Sequence, residues 1–360
     1  MMKILDFYVL RNIFFTFIFS IIALCSIFLI VNLMENLDKF IDLNTPFDIV
    51  VEYYAQTLPD VIKLLTPVAM LIAMLFTIGG LSNKNEITAM KTGTMSLYRL
   101  MFPLVVFGLL VSFIQLYFNG WVVPKSNERK FSIEQKYLNK EIGANLFNLY
   151  FRDNPLKNIV MRYYDPINKT GHSISIEEFS SEKQPRLTSR IDAQMMIWDS
   201  TLSKWKLIDA IYRNYSGNTI NQLRQDTSYV ELLTTHNQIA KIKKVPEEMT
   251  FEEFREYIGL MQRGGRDTRK QMIEYYSNYA FPFANFIVVL FAVPFASVRR
   301  KGGIAIQISA ALIVSFVYLV STKFSQTIGL TTDINPIIIG WSANFLFLII
   351  GLIVIFKTKT

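Results

Sequence analysis

Residues that bind metals or act as nucleophiles are scarce in this sequence. The chain has 360 residues, with two histidines, His172 and His236, and a single cysteine, Cys25. Neither histidine has neighbours at the spacing of a zinc site, and a lone cysteine in an apolar segment is most often a packing residue. No disulfide can form within the chain. The sequence therefore predicts neither a metal site nor a catalytic residue.

The motifs that bind nucleotides are also missing. The pattern G-x-x-x-x-G-K-[ST] does not occur, and no glycine-rich loop stands between a strand and a helix. The pairs Gly79–Gly80 and Gly302–Gly303 lie at the edges of apolar segments, where close helix packing or a sharp turn explains them. We expect no cofactor to be bound by this chain.

The composition indicates a membrane protein. Charged residues make up 18% of the chain and hydrophobic residues 51%, whereas a soluble domain carries about a quarter charged residues. Six uncharged segments are close to the length that crosses a bilayer, about 20 residues. They are 13–34, 64–81, 100–124, 275–298, 304–322 and 334–356. We expect six transmembrane helices, the second of which should begin earlier, near Ile49.

The net charge of +8 is distributed unevenly along the chain. If the N-terminus is cytoplasmic, ten lysines and arginines fall in inside segments and three in the short outside loops. The inside residues are Lys3, Arg11, Lys84, Lys91, Arg99, Arg299, Arg300, Lys301, Lys357 and Lys359, and the outside residues are Lys39, Lys63 and Lys323. This bias follows the positive-inside rule. It predicts two cytoplasmic termini and an external central segment, and it argues against a nucleic-acid partner.

The external segment reads mainly as strands. Stretches such as "NIVMRYYD" and "HSISIEEF" are rich in β-branched and aromatic residues and are separated by turn signals. This pattern favours an antiparallel sandwich or open barrel, with a mixed α+β domain as the alternative. A helix should then begin after Thr250, which forms a capping box with Glu253, and end at Gly264–Gly265.

A short polar segment, "SNKNEITAMKTGTMS" at 82–96, separates the second and third apolar segments. Asn83 and Glu86 are spaced as a capping box, and Gly93 can end the helix, which predicts a helix over 83–92. Such a helix is too short to be stable alone. It either lies on lipid headgroups as an amphipathic connector or docks into a partner.

The docking alternative assigns roles to particular side chains. Ile87 and Met90 share one face of the helix at i, i+3 spacing and would form an apolar contact. Glu86 and Lys91 would form its charged flank.

The segment "LPDVIKLLTPVAMLIAMLFTIGGLSNKNEITAMKTGTMS" resembles the second span and coupling helix of the lipopolysaccharide-export permease family, the LptF/LptG type. The spacing of Pro59 and Pro67, the "EITAM" core and the following Gly93 carry the resemblance. It extends over the whole chain and includes "WKLIDAIYR" at 205–213 and "YAFPFANFIVVLFAVPFAS" at 279–297. It does not decide between an LptF-like and an LptG-like chain.

The resemblance implies a permease subunit of an ABC transporter rather than an enzyme. In that family, two paralogous permeases pair and bind a cytoplasmic ATPase dimer, which uses ATP and Mg²⁺. They extract lipopolysaccharide from the inner membrane and pass it to a periplasmic bridge of the LptC/LptA type. The expected fold is six transmembrane helices with an inserted periplasmic all-β, jellyroll-like domain.

The expected domains follow from this layout. Residues 1–124 hold spans one to three, 125–270 form the periplasmic domain with its helical return, and 271–360 hold spans four to six. In the coupling helix, the resemblance makes Glu86 the ATPase contact, with Ile87, Met90 and Gly93 as its neighbours.

Lipopolysaccharide carries phosphates and acyl chains, so its site needs cations at the external rim of an apolar cavity. The candidates are Lys39, Lys63, Lys125 and Arg129. A basic position that is typical of the family near the start of the second span is Asp60 here. Lys39 and Lys63 also fit a simpler role as ordinary interface anchors.

An alternative function is a membrane-anchored periplasmic protein that binds a ligand or acts as a scaffold without transport. One anchor would suffice for that role, and six spans with a capped cytoplasmic helix fit it poorly. An intramembrane enzyme is disfavoured because no cluster of histidine, aspartate or glutamate lies within the spans.

Overall fold

The computed structural model describes residues 4–93, 96–138, 147–166, 168–181, 184–216, 219–242, 244–297 and 303–357. The chain divides into two compact units. Met1–Leu138 and Met272–Thr360 form the helical unit, and Asn139–Gln271 form the β unit. The predicted basic turn at 299–301 and the two chain ends lie outside the described residues.

The first part of the helical unit consists of long helices joined by short turns. They are α1 (Ile4–Asp42), α2 (Phe47–Asn83), α3 (Glu86–Thr92), α4 (Leu97–Tyr117) and α5 (Val123–Tyr137), with a π-helical segment at Phe118–Val122 between the last two. α1 ends where Asn44 adopts a φ of 49°. α2 begins at Phe47, two residues from the predicted start near Ile49.

The β unit contains one antiparallel sheet. Its strands are β1 (Phe147–Asn154), β2 (Lys157–Asp165), β3 (Thr170–Phe179), β4 (Leu187–Asp199), β5 (Lys204–Ser216) and β6 (Thr219–Val230). They lie in chain order, each paired with its sequence neighbour. The described strands therefore form a meander and not the two Greek keys of a jellyroll. Helices α6 (His236–Ile242) and α7 (Phe251–Arg263) follow the sheet.

Both local predictions for α7 are confirmed. Thr250 N–H donates to the Glu253 carboxylate at 3.0 Å, and Glu253 N–H donates to the Thr250 hydroxyl at 3.3 Å. The helix ends at Arg263, directly before Gly264. Glu253 and Thr250 together satisfy two of the amide groups that a helix start leaves open.

Polar side chains inside the β unit bind the segment that follows β6. Asp153 of β1 accepts from Thr234 N–H at 2.7 Å, and Trp205 Nε1–H of β5 donates to Thr234 O at 2.9 Å. Tyr164 OH of β2 donates to His236 O at 3.3 Å. This segment therefore covers one end of the sheet's apolar face, where Trp205 and Tyr164 are fully buried.

The helical unit is completed by α8 (Arg269–Ala280), α9 (Ala284–Ser297), α10 (Gly303–Thr331) and α11 (Pro336–Lys357). The first three residues of α8 belong to the β unit. Among the described residues, five helices are long and apolar enough to cross a membrane. The predicted fourth span, 275–298, is instead divided between α8 and α9 by a 3₁₀ turn at Phe281–Phe283. Pro282 explains the break because it has no N–H to donate and its ring clashes with the preceding turn.

The core of the helical unit is formed by α1, α2, α4 and α9. Met70, Met74, Leu104 and Val289 are fully buried there. Large apolar side chains on the outer faces of α1, α10 and α11 remain exposed, among them Phe15, Phe316 and Phe345. A soluble monomer rarely exposes so much contiguous apolar surface, which agrees with helices that face lipid.

Candidate functional site

A pocket of about 400 Å³ opens between α2, α8 and α10. Its apolar wall contains Leu64, Phe281 and Leu319, and Lys63 and Lys323 also line it. Its remaining lining residues are Asp60, Ser277, Asn278, Thr322 and Gln326. The pocket thus places two cations beside an apolar surface.

Several polar groups of this pocket have no partner among the described residues, although the Thr322 hydroxyl donates to Tyr318 O at 3.0 Å. Within the described chain, neither lysine forms an ion pair, and Asp60 forms none either. Ser277 is 6% exposed, and its hydroxyl has no hydrogen-bond partner among the described residues. Burying a hydroxyl without a partner costs free energy. The two lysines outnumber the single carboxylate, Asp60, so the pocket carries net positive charge beside apolar side chains. This combination suits an anionic head group attached to acyl chains.

Of the four predicted rim cations, Lys63 is the one that lies in this pocket. Arg129 forms an ion pair with Glu52 at 2.6 Å, and Lys39 Nζ donates to Asn36 at 3.1 Å. Glu52 precedes Lys63 by eleven residues on the same helix, which separates them by about 16 Å along its axis. Arg129 and Lys63 are therefore too far apart to bind the same phosphate group.

Lys125 is exposed and has no ion pair within the described part of the chain. The second cation of the pocket is instead Lys323, which the sequence did not single out as a ligand contact. It directly follows the fifth apolar segment, where a lysine is typical of an interface anchor. The phosphate-contact role of all these residues stays a prediction.

The short helix α3 begins later than predicted. The capping-box start at Asn83 is wrong, because α2 continues through Asn83 and Asn85 then adopts a φ of 58°. Leu81 and Ser82 are buried in the helical unit, and this packing extends α2 beyond the local capping signal. α3 itself begins at Glu86 and is followed by Gly93, whose N–H donates to Ala89 O at 3.1 Å.

The apolar face of α3 lies against the chain's own helices. Ile87 is 4% exposed, and Met90 is half-buried against the same core. Thr88, Ala89 and Gly93 are exposed. The surface open to a partner therefore consists of these exposed positions together with Glu86, and Ile87 serves to hold α3 in place. The Lys91 side chain lies outside what the structure describes.

Side chains in the first turns of α1 bind both α3 and α4. Tyr8 OH donates to the Glu86 carboxylate at 3.2 Å. Asp6, which is 3% exposed, forms an ion pair with Arg99 of α4 at 2.6 Å. These contacts were not predicted, since Asp6 and Arg99 are 93 residues apart and no local pattern in the sequence relates them.

Comparisons with known proteins bear on these features. A search of curated proteins gives no match. The family model described as "Lipopolysaccharide export system permease LptF/LptG" matches residues 7–357. This range includes the pocket, α3 and the entire β unit. The chain therefore belongs to the LptF/LptG family of lipopolysaccharide export system permeases.

Proposed function

We propose that this chain is the permease subunit of an ABC transporter that extracts lipopolysaccharide from the inner membrane and passes it to a periplasmic bridge. The observation that carries this proposal is the family match over residues 7–357. The pocket between α2, α8 and α10 supports it further, since a protein that uses its spans only as an anchor needs no polar pocket between them.

The chain lies in the inner membrane with both termini in the cytoplasm. The supporting observation is the excess of lysine and arginine in the inside segments, ten against three. The division into 1–124, 125–270 and 271–360 follows, with 125–270 in the periplasm. α8 and α9 together serve as the fourth of six spans. A broken helix is tolerated at membrane depth where neighbouring groups satisfy its backbone.

The substrate contacts follow from the chemistry of the pocket. Lys63 and Lys323 bind phosphate, and the Ser277 hydroxyl donates to a phosphate oxygen. Acyl chains lie against Leu64 and Phe281. Charge-assisted hydrogen bonds of this kind are about twice as strong as neutral ones. Lys39, Lys125 and Arg129 lie outside this pocket and contact lipid phosphate at other places on the external rim.

The partners are a paralogous permease subunit, a cytoplasmic ATPase dimer and a bridge protein of the LptC/LptA type. The ATPase binds ATP and Mg²⁺ and contacts α3 through Glu86. Because Ile87 is buried in the chain's own core, its part is to anchor α3, so that movement of the ATPase is transmitted to the spans. Met90 and Gly93 border the contact.

Reconstitution tests this function. The chain, a paralogous permease and the ATPase dimer are placed in proteoliposomes containing lipopolysaccharide, and transfer to a soluble bridge protein is measured by crosslinking. We expect transfer with ATP and Mg²⁺ and none with a non-hydrolysable analogue. Glu86→Ala should lower both copurified ATPase and transfer by about tenfold, as expected for a central interface residue.

Glu35→Ala is the matched control, because Glu35 is an exposed glutamate near the C-terminal end of α1, whereas Glu86 contacts the N-terminal end. It should leave transfer unchanged. If Glu86→Ala and Met90→Glu both retain the ATPase and normal transfer, α3 is not the docking helix. If the wild-type complex transfers no lipopolysaccharide, the transport function itself is excluded.

A further inference from the structure

Two prolines remove hydrogen-bond donors from the helices that line the pocket. Pro67 in α2 has no N–H, so Lys63 O, four residues earlier, loses its helical donor. Pro282, in the turn after α8, removes the equivalent donor from Asn278 O. Lys63 and Asn278 both line the pocket. The helical hydrogen bonding of α2 and of α8 is therefore interrupted at a residue that lines the pocket.

Gln115 of α4 supplies the donor that Pro67 lacks. Its Nε2–H donates to Lys63 O at 2.8 Å, and the side chain is 4% exposed. A carbonyl that a proline frees within a span needs such a partner because lipid offers none. Gln115 therefore holds α2 at its proline.

Asn285, at the start of α9, connects Gln115 to the second wall. Its Nδ2–H donates to Gln115 Oε1 and to Pro282 O, the latter at 2.9 Å. Gly108, two turns before Gln115 on α4, permits this approach, since a Cβ there would lie 2.9 Å from Val289 Cγ2 and 3.3 Å from Asn285 O. Hydrogen bonds thus run without interruption from the α2 wall to the Pro282 turn.

We propose that Gln115 and Asn285 are positioning residues for the pocket. Neither is among its lining residues, so they act through Lys63 and the turn at Phe281–Phe283. By fixing α2 against the broken fourth span, they set the separation of Lys63 from Ser277 and so the fit of an anionic lipid head group. This inference rests on the proposed function, since it takes the pocket to be the lipid site.

The first test is removal of the buried amide. Gln115→Leu keeps a similar volume but loses both hydrogen bonds. Binding of fluorescent lipopolysaccharide is measured for the full chain with its permease partner in nanodiscs. We expect affinity to fall about tenfold, the size typical of a broken polar network. Asn285→Leu should have a similar effect, and the double variant should add little, because both residues belong to one network.

A second variant separates positioning from stability. Pro67→Ala restores an N–H for Lys63 O, and alanine favours helix more than proline does. We expect this protein to unfold at the wild-type temperature or above, yet to bind lipopolysaccharide about fivefold more weakly, because α2 changes direction. Combined with Gln115→Leu, it should recover stability and not affinity. A purely structural link would recover both.

The outcomes are decisive in either direction. Unchanged affinity in folded Gln115→Leu protein overturns the proposal, and so does joint recovery of stability and affinity in the double variant. If Gln115→Leu does not fold, unchanged affinity in Pro67→Ala overturns it alone. If the wild type binds but Lys63→Gln and Lys323→Gln have no effect, the pocket is not the lipid site, and that part of the proposed function fails with the inference.

Discussion

Two polar regions of the helical unit differ in whether their charged side chains form ion pairs. Beside α3, Asp6 is buried and forms an ion pair with Arg99 at 2.6 Å. In the pocket between α2, α8 and α10, Lys63 and Lys323 share a lining but have no ion pair among the described residues. Both regions lie at helix ends or proline breaks, where polar side chains can reach neighbouring elements.

The difference indicates two kinds of role. A charge near lipid is costly unless something binds it. Where the chain supplies the partner, as in the Asp6–Arg99 pair, the charge connects elements of the same protein. Where the partner is left out, as at Lys63 and Lys323, a ligand is the natural source of the missing charge. Internal pairing should therefore affect stability, and open cations should affect binding.

The largest effect that tests this comparison is expected in the pocket. Lys63→Gln combined with Lys323→Gln should lower lipopolysaccharide affinity about a hundredfold, because two charge-assisted hydrogen bonds are lost. Thermal stability should change little, since neither lysine forms an ion pair among the described residues. The measurements are fluorescent lipid binding and the unfolding temperature. Lys84→Gln with Lys357→Gln, which removes two exposed lysines elsewhere, is the matched control.

A smaller effect of the opposite type is expected beside α3. Arg99→Met deprives the buried Asp6 carboxylate of its ion pair, which should cost about 1 to 3 kcal/mol of stability. Lipid affinity at the pocket should not change. Unfolding temperature followed by tryptophan fluorescence checks the first point. A loss of lipid affinity equal to that of the lysine variants would remove the distinction between the two regions.

The smallest effect concerns a single hydroxyl. Ser277→Ala removes a buried group that has no partner among the described residues, so the lipid-free protein should lose no stability and can gain up to about 1 kcal/mol. Lipid affinity should fall about fivefold. Ser112→Ala is the contrasting variant, because Ser112 is fully buried but its hydroxyl donates to Gly108 O at 2.8 Å. It should not change lipid affinity.

Sequence reasoning succeeded where the deciding interactions are local. The capping box at Thr250 joins residues three positions apart, and the structure contains both of its hydrogen bonds. The same pattern at Asn83 failed. There the apolar run of α2 carries Leu81 into the core, and tertiary packing outweighs a cap of about 1 kcal/mol.

The strands show the same limit. β2 to β5 carry apolar residues that enter the core, and the sequence predicts all of them. β6 is polar and almost entirely exposed, so no alternation distinguishes it from a loop. It exists because β5 offers hydrogen bonds along its whole length, and that pairing cannot be read from the residues of β6 alone.

The site was predicted only in part for a related reason. Lys63 was chosen from its place near a span end, but its neighbour Lys323 lies 260 positions later in the chain. Only the packing of α2 with α10 brings the two together. Pro282 was visible in the sequence, and its consequence, a break in the fourth span, was missed because the apolar run continues on both sides.

α1 has one property that its neighbours lack. It runs from Ile4 to Asp42 without a proline, whereas α2 and α4 each contain at least one. Its length of about 58 Å is nearly twice the thickness of the hydrocarbon layer. A helix without a joint moves as a stiff rod, so a tilt of about 10° fixed at Tyr8 displaces the Lys39 end by about 8 Å. α1 therefore acts as a lever: a small movement of α3, passed on through the contact between Tyr8 and Glu86, becomes a larger movement at the other end of α1.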